Sequence, residues 1–105
     1  METHKFIGTT DIGFIGSYWP FGELEVCKDY LLVRDKLLRK EYKLSKEDVV
    51  SIKVSTLFSI SKYALEIQHK NKNYKYSRVH FWYWIFSFDK LLNTLKQFGW
   101  VEDHN

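Results

Sequence analysis

Ser87-Phe-Asp-Lys-Leu-Leu-Asn-Thr-Leu-Lys-Gln-Phe-Gly-Trp100 is the stretch on which the fold turns. Phe88, Leu91, Leu92, Leu95 and Phe98 recur at i, i+3, i+4, i+7 and i+10, which predicts an amphipathic helix over residues 88–98 with one apolar stripe. Ser87 is placed to accept a bond from an otherwise unpaired amide as N-cap. Asp89 suits the positive end of the helix dipole and Lys96 the negative end. Gly99 fits the left-handed position after the last turn, and Trp100 the apolar contact that closes it. Such a helix cannot bury its stripe alone, so it needs a β surface to cover.

The preceding sequence supplies one. Leu65 and Ile67 alternate with Glu66 and Gln68, and Val79 and Phe81 alternate with Arg78 and His80. An antiparallel pair over residues 64–70 and 76–82 that sets Ile67 opposite Val79 and Leu65 opposite Phe81 puts all four apolar residues on one face. The same register sets Glu66 opposite His80 on the other, and a slip of one residue would mix the faces. Further strands are expected over residues 12–18, 23–26, 30–34, 38–44 and 49–55, with Leu38, Tyr42 and Leu44 inward. Short turns at Pro20-Phe21-Gly22, Lys28-Asp29, Asp35-Lys36 and Asn71-Lys72-Asn73 separate them. Ser45-Lys-Glu-Asp48 has capping-box spacing and reads as one helical turn. Residues 56–62 give no clear period.

The chain has 105 residues, which the size prior treats as one domain, 1–105, with a core large enough to need no staple. Aromatic residues make up 18%, which favours pleated surfaces over disorder. The sole cysteine, Cys27, has no internal partner and points to a reducing, cytoplasmic setting. The N-terminal stretch lacks the apolar centre of a signal peptide, and no run reaches membrane-spanning length. Sixteen Lys and Arg against thirteen Asp and Glu give a net charge of +3, mild for a nucleic-acid binder, and none is expected as partner.

Six or seven antiparallel strands followed by one helix is the order of a pleckstrin-homology-like domain, and the residues carry a resemblance too. Gly22-Glu-Leu-Glu-Val, Asp29-Tyr-Leu and Tyr42-Lys-Leu-Ser-Lys-Glu-Asp-Val-Val-Ser-Ile52 resemble the first half of the small bacterial PH-like (GRAM-like) domains. Leu65-Glu-Ile-Gln-His69, Val79-His-Phe-Trp82 and the helix ending at Gly99-Trp100 resemble the second half. The resemblance spans roughly residues 18–100. It implies a mainly β fold, a barrel or sandwich of about seven antiparallel strands capped by the C-terminal helix. It also implies an interaction module without enzymatic activity. The loop expected at Trp19–Pro20–Phe21–Gly22 carries no positive charge, unlike the corresponding loop of lipid-binding members, so classical inositol-phosphate recognition is not expected.

No catalytic signature stands beside this. Cys27 has no base or oxyanion donor nearby in sequence and reads as a small buried hydrophobe. His69 falls on the inward face of its strand and His80 on the outward face, which keeps them from sharing a metal; no zinc spacing occurs. Gly8, Gly13 and Gly16 match no phosphate-binding loop. Glu23 and Glu25 read as a solvated strand face, and Glu47 and Asp48 as a turn start. No cofactor, metal or catalytic residue is therefore expected.

Two surfaces remain. Trp82 and Trp84, in the run Phe81–Phe86, have outward parity and either lie exposed or wrap the helix junction; with Trp19 and Phe21 they form the candidate surface for a protein partner or a second copy of the chain. Lys70, Lys72, Lys75 and Arg78, interleaved with Tyr74 and Tyr76, form the candidate surface for an anionic membrane or phosphate ligand, against a plain solvated hairpin tip.

Overall fold

The computed structural model describes residues 2–12, 15–57, 61–84 and 87–101. Seven strands are followed by one helix: β1 (His4–Ile12), β2 (Ile15–Val26), β3 (Tyr30–Asp35), β4 (Lys40–Ser45), β5 (Val49–Leu57), β6 (Ser61–His69), β7 (Arg78–Trp82) and α1 (Phe88–Gln97). All neighbours are antiparallel in a single sheet of order β4-β3-β2-β1-β7-β6-β5. The fold is mainly β, with one C-terminal helix on the inner face of the sheet.

Alternation decides what faces inward. Phe6 and Ile12 of β1, Leu24 and Val26 of β2, Leu31 and Val33 of β3, and Tyr42 and Leu44 of β4 are buried. So are Leu65 and Ile67 of β6 and Val79 and Phe81 of β7. They form one cluster with Phe88, Leu91, Leu92 and Leu95 of α1. The β6–β7 register is the expected one: Leu65 faces Phe81, Glu66 faces His80 and Ile67 faces Val79. The helix ends in a double closure, with Gly99 N–H donating to Lys96 O at 3.1 Å and Trp100 N–H to Leu95 O at 2.8 Å. Gly99 supplies the left-handed φ of 77° that this geometry needs. The Trp100 indole N–H donates to Cys27 O at 2.6 Å, and Lys46 Nζ donates to Phe98 O, tying the helix end to the β2–β3 and β4–β5 turns.

Four expectations are corrected. The first strand does not span residues 12–18: β1 ends at Ile12 and β2 begins at Ile15. β1 escapes a hydrophobicity reading because two of its inward positions are Gly8 and Thr10. Gly8 is required there, since a Cβ would lie 2.2 Å from Trp82 O. Pro20-Phe21-Gly22 is not a turn between strands but lies inside β2. Leu38 does not face inward; it is 40% exposed in the β3–β4 turn, where its N–H donates to Asp35 Oδ1 at 3.0 Å. Ser87 holds the N-cap position without a side-chain cap bond, and Phe98 is the C-cap, not the last helical residue. The capping box is present as reciprocal bonds: Ser45 N–H to Asp48 Oδ2 at 3.1 Å and Asp48 N–H to Ser45 Oγ at 3.3 Å. The unassigned residues 56–62 hold the end of β5 and the start of β6; residues 58–60 lie outside the described residues.

Candidate interaction surfaces

The aromatic surface begins with an irregularity in β2. Gly8 pairs with Gly22 and Thr10 with Ser17, so the single residue Thr9 faces residues 18–21 of β2. The excess chain is pushed outward and pinned on both sides. Trp19 N–H donates to Thr9 Oγ1 at 3.1 Å, and Lys36 N–H donates to Phe21 O at 2.9 Å. Gly22 closes it, because a Cβ there would lie 2.6 Å from Thr10 N and 2.7 Å from Gly8 O. The result is two large rings turned to solvent, Trp19 at 57% and Phe21 at 41% exposure.

Thr9 is also the Cα partner of Trp82 on β7. One outer row therefore runs from the Trp19 backbone through Thr9 to Trp82 and on to Ala64 of β6. Trp82 is half-buried and stacks on His80, the next outward residue, with centroids 5.6 Å apart. Trp84, two residues on, is 62% exposed. Trp19 and Trp82 therefore flank Thr9 from opposite sides, on strands separated by β1, with Phe21 and Trp84 exposed two residues further along their own segments.

The row beneath is polar, and the alternation in the sequence shows its Glu66–His80 pair but not Asp11. Asp11 of β1 faces His80, and His80 faces Glu66. Glu66 holds His80 Nε2 at 3.6 Å and Arg78 Nε at 3.7 Å. Asp11 Oδ1 is buried with no hydrogen-bond partner among the described residues. The parity that places Asp11 here becomes readable only once β1 is recognised as a strand.

The basic hairpin separates into two kinds of residue. Lys70, Lys72, Lys75 and Arg78 are exposed. Tyr74 and Tyr76 are not free to grip a ligand. Tyr74 stacks on Tyr42 with centroids 4.2 Å apart, accepts from Lys43 N–H at 3.0 Å and donates to Lys43 O at 3.3 Å. Tyr76 N–H donates to the Tyr42 hydroxyl at 3.1 Å, and Lys75 Nζ lies 5.4 Å from the Tyr76 ring centre. The hairpin loop is therefore a clasp over the outer edge of β4, with Arg78 drawn aside to Glu66. His69, 3% exposed, anchors that clasp: Nε2–H donates to Tyr76 O at 2.7 Å and Nδ1 accepts from Asn71 N–H at 3.1 Å. These bonds assign the tautomer that carries its hydrogen on Nε2. An open cleft nearby is lined by Lys28, Asp29, Ser45, Lys46 and Glu47, cations and anions alternating.

The reading of Glu23 and Glu25 as solvated is overturned. They are 3% and 7% exposed. Glu23 is held by Arg34 and by Lys36 Nζ at 3.2 Å, while Arg34 Nε reaches Glu41 at 3.1 Å. Burial alone would lower the Arg34 pKa; the Glu41 and Glu23 carboxylates outweigh it and raise it. Glu25 Oε2 accepts from the Tyr30 hydroxyl at 2.8 Å. Hydrogen bonding to Cys27 first, and then to Glu25, pushes the Tyr30 phenol well above its ordinary range. Asp48 moves the other way. The Ser45 backbone N–H, followed by Asn71 and the Ser45 hydroxyl, outweighs burial and holds the carboxyl below its ordinary value. All three groups are explained by neighbours within the fold. Cys27 is buried, with Thr3 Oγ1 3.3 Å from Sγ.

Among the described residues, no group of three or more His, Cys, Asp or Glu is arranged to hold a metal ion, and no helix is long and apolar enough to cross a membrane. No protein-family model and no curated protein matches the chain. Among solved structures, the C-terminal domain of an unknown protein from Leishmania infantum is similar, with a TM-score of 0.65 at 13% identity over 90% of this chain and 79% of that one. At that identity the likeness speaks for the fold alone.

Proposed function

We propose that this chain is a PH-like interaction module without enzymatic activity, and that it binds a protein partner through the outer face carrying Trp19, Phe21, Trp82 and Trp84. One observation carries the reading: a pinned bulge in β2 holds Trp19 and Phe21 in solvent, and Thr9 of β1, which the bulge is bonded to, is the cross-strand partner of Trp82 on β7. A bulge placed and fixed this way re-aims side chains. Exposed tryptophans rimmed by polar residues are the composition of a protein interface core. Seven antiparallel strands followed by one C-terminal helix support the PH-like assignment, since that succession is what the sequence resemblance implies. The basic hairpin supports anion binding less well, because the Tyr74 hydroxyl is spent on the β4 edge, Tyr76 packs against the core and Arg78 is drawn to Glu66.

Affinity capture with the wild-type chain and with a Trp19→Ser/Trp84→Ser double variant, matched by circular dichroism, tests the proposal. The expected result is a protein retained by the wild type and lost by the variant. Equal retention by both, or retention of nothing, refutes it. Sedimentation of each chain alone shows whether the partner is a second copy.

A further inference from the structure

The β3–β4 turn, Lys36-Leu37-Leu38-Arg39, carries side chains that its geometry does not ask for. Tight turns favour Gly, Asn, Asp and Ser. Here two leucines stand at the tip, Leu37 at 61% and Leu38 at 40% exposure. Arg39 follows at φ 56°, in the left-handed region where glycine sits without strain. The turn lies alongside the β2 bulge: Gly22 pairs with Asp35, and Lys36 N–H donates to Phe21 O at 2.9 Å. Leu37 and Leu38 thus join Trp19 and Phe21 at one end of the sheet. The charges of this end are sorted. Lys36 and Arg39 are exposed and Lys40 is half-buried. The carboxylates are taken up: Glu23 and Asp35 are buried, and Arg34 holds Glu41.

We infer that this end anchors the protein-binding face, and that the partner presents an acidic, apolar segment whose apolar side chains seat on Leu37, Leu38 and Phe21 while its carboxylates meet Arg39 and Lys40. The inference rests on the reading that the face carrying Trp19, Phe21, Trp82 and Trp84 binds a protein; it adds the turn to that face and fixes the partner's charge. Large apolar side chains held in solvent beside cations are matched by a segment that supplies both apolar cover and carboxylates. An arginine in a backbone region that favours glycine gives its guanidinium a duty outside the fold. Charge argues against a second copy, since like ends set cations against cations. The apolar set runs from the turn across β2 and β1 to Trp82 on β7. A polypeptide can follow a twisted sheet, whereas a flat bilayer touches one end of it.

The test titrates the ¹⁵N-labelled full chain with three synthetic peptides. The first is acetyl-Asp-Glu-Leu-Phe-Glu-Leu-Leu-Asp-Ser-amide; the second has Lys in place of every Asp and Glu; the third has Ser in place of every Leu and Phe. The first should shift the amides of residues 36–39 and of Trp19 and Phe21. It should bind about tenfold more tightly than the Lys peptide, and its binding should weaken as salt rises. The Ser peptide should not bind. Leu37→Ser/Leu38→Ser should cost about tenfold in affinity. Arg39→Gly should weaken binding about fivefold while the melting temperature stays level or rises, because glycine relieves the left-handed backbone. Equal binding of the acidic and basic peptides, shifts centred elsewhere, no binding at millimolar peptide, or a lower melting temperature for Arg39→Gly overturns the inference. So does Leu37-dependent sedimentation with vesicles of phosphatidylcholine and about 30% phosphatidylserine, which would make a membrane the occupant. A lysate protein lost by Trp19→Ser/Trp84→Ser but retained by Leu37→Ser/Leu38→Ser overturns this inference alone and leaves the broader reading standing.

Discussion

Replacing His69 gives the sharpest check on how the β6–β7 loop is held. The ring makes two hydrogen bonds, to Tyr76 O at 2.7 Å and from Asn71 N at 3.1 Å, and packs edge-on against Tyr42 at 5.6 Å. Each bond contributes about 1 kcal/mol net. Deleting a nearly buried ring adds roughly 1–2 kcal/mol of lost contact and cavity. His69→Ala is therefore expected to destabilise by about 3–4 kcal/mol, a large part of the stability of a small domain. His69→Phe keeps the ring and loses both bonds, so about 2 kcal/mol is expected from the bond terms alone. Urea unfolding followed by tryptophan fluorescence reads both. With a slope of about 1.5 kcal/mol per molar urea, the midpoint should fall by about 2–2.7 M for alanine and about 1.3 M for phenylalanine. A phenylalanine variant as stable as wild type would refute the assignment of the bonds, and an alanine variant as stable as wild type would refute the anchoring role altogether.

Three further outcomes are expected. Asp48 is held below its ordinary value of 3.8 in the fold, so its contribution is present above that pH and is lost as pH falls through the depressed folded value. Asp48→Asn should accordingly be less stable near neutrality and flatten the loss of the urea midpoint measured from pH 5 down to pH 2. Gly8→Ala places a methyl 2.2 Å from Trp82 O, so it should destabilise by about 3 kcal/mol or prevent folding, as a thermal melt would show. Tyr74→Phe removes both bonds to Lys43, and native-state hydrogen exchange at the Lys43 amide should accelerate about fivefold, equivalent to about 1 kcal/mol, with little change at residues 64–67.

What could be read from the sequence was whatever a single period reports. The α1 stripe Phe88–Leu91–Leu92–Leu95 and the facing pairs Ile67–Val79 and Leu65–Phe81 follow from spacing alone. β1 was hidden because Gly8 and Thr10 occupy inward positions that Trp82 O and the sheet restrict to small or hydroxyl-bearing residues. The burial of Glu23 depends on Arg34 and Lys36 arriving from β3 and the turn beyond it, a pairing no local pattern announces. The candidate surfaces were legible as residue types and not as arrangements. Outward parity was readable for Trp82 and Trp84. The bulge that sets Trp19 across β1 from Trp82 needs the β1–β2 and β1–β7 registers, and the clasp formed by Tyr74 needs the closure of the loop on β4. Isolated from that closure, Tyr74 and Tyr76 read as ligand-facing rings.

The central claim is that the Trp19, Phe21, Trp82 and Trp84 face is a protein-binding surface. The most direct measurement is quantitative capture from lysate on immobilised wild type against the folded Trp19→Ser/Trp84→Ser variant. At least one protein enriched tenfold or more on the wild type and absent from the variant is the predicted result; identical profiles on the two would contradict the claim.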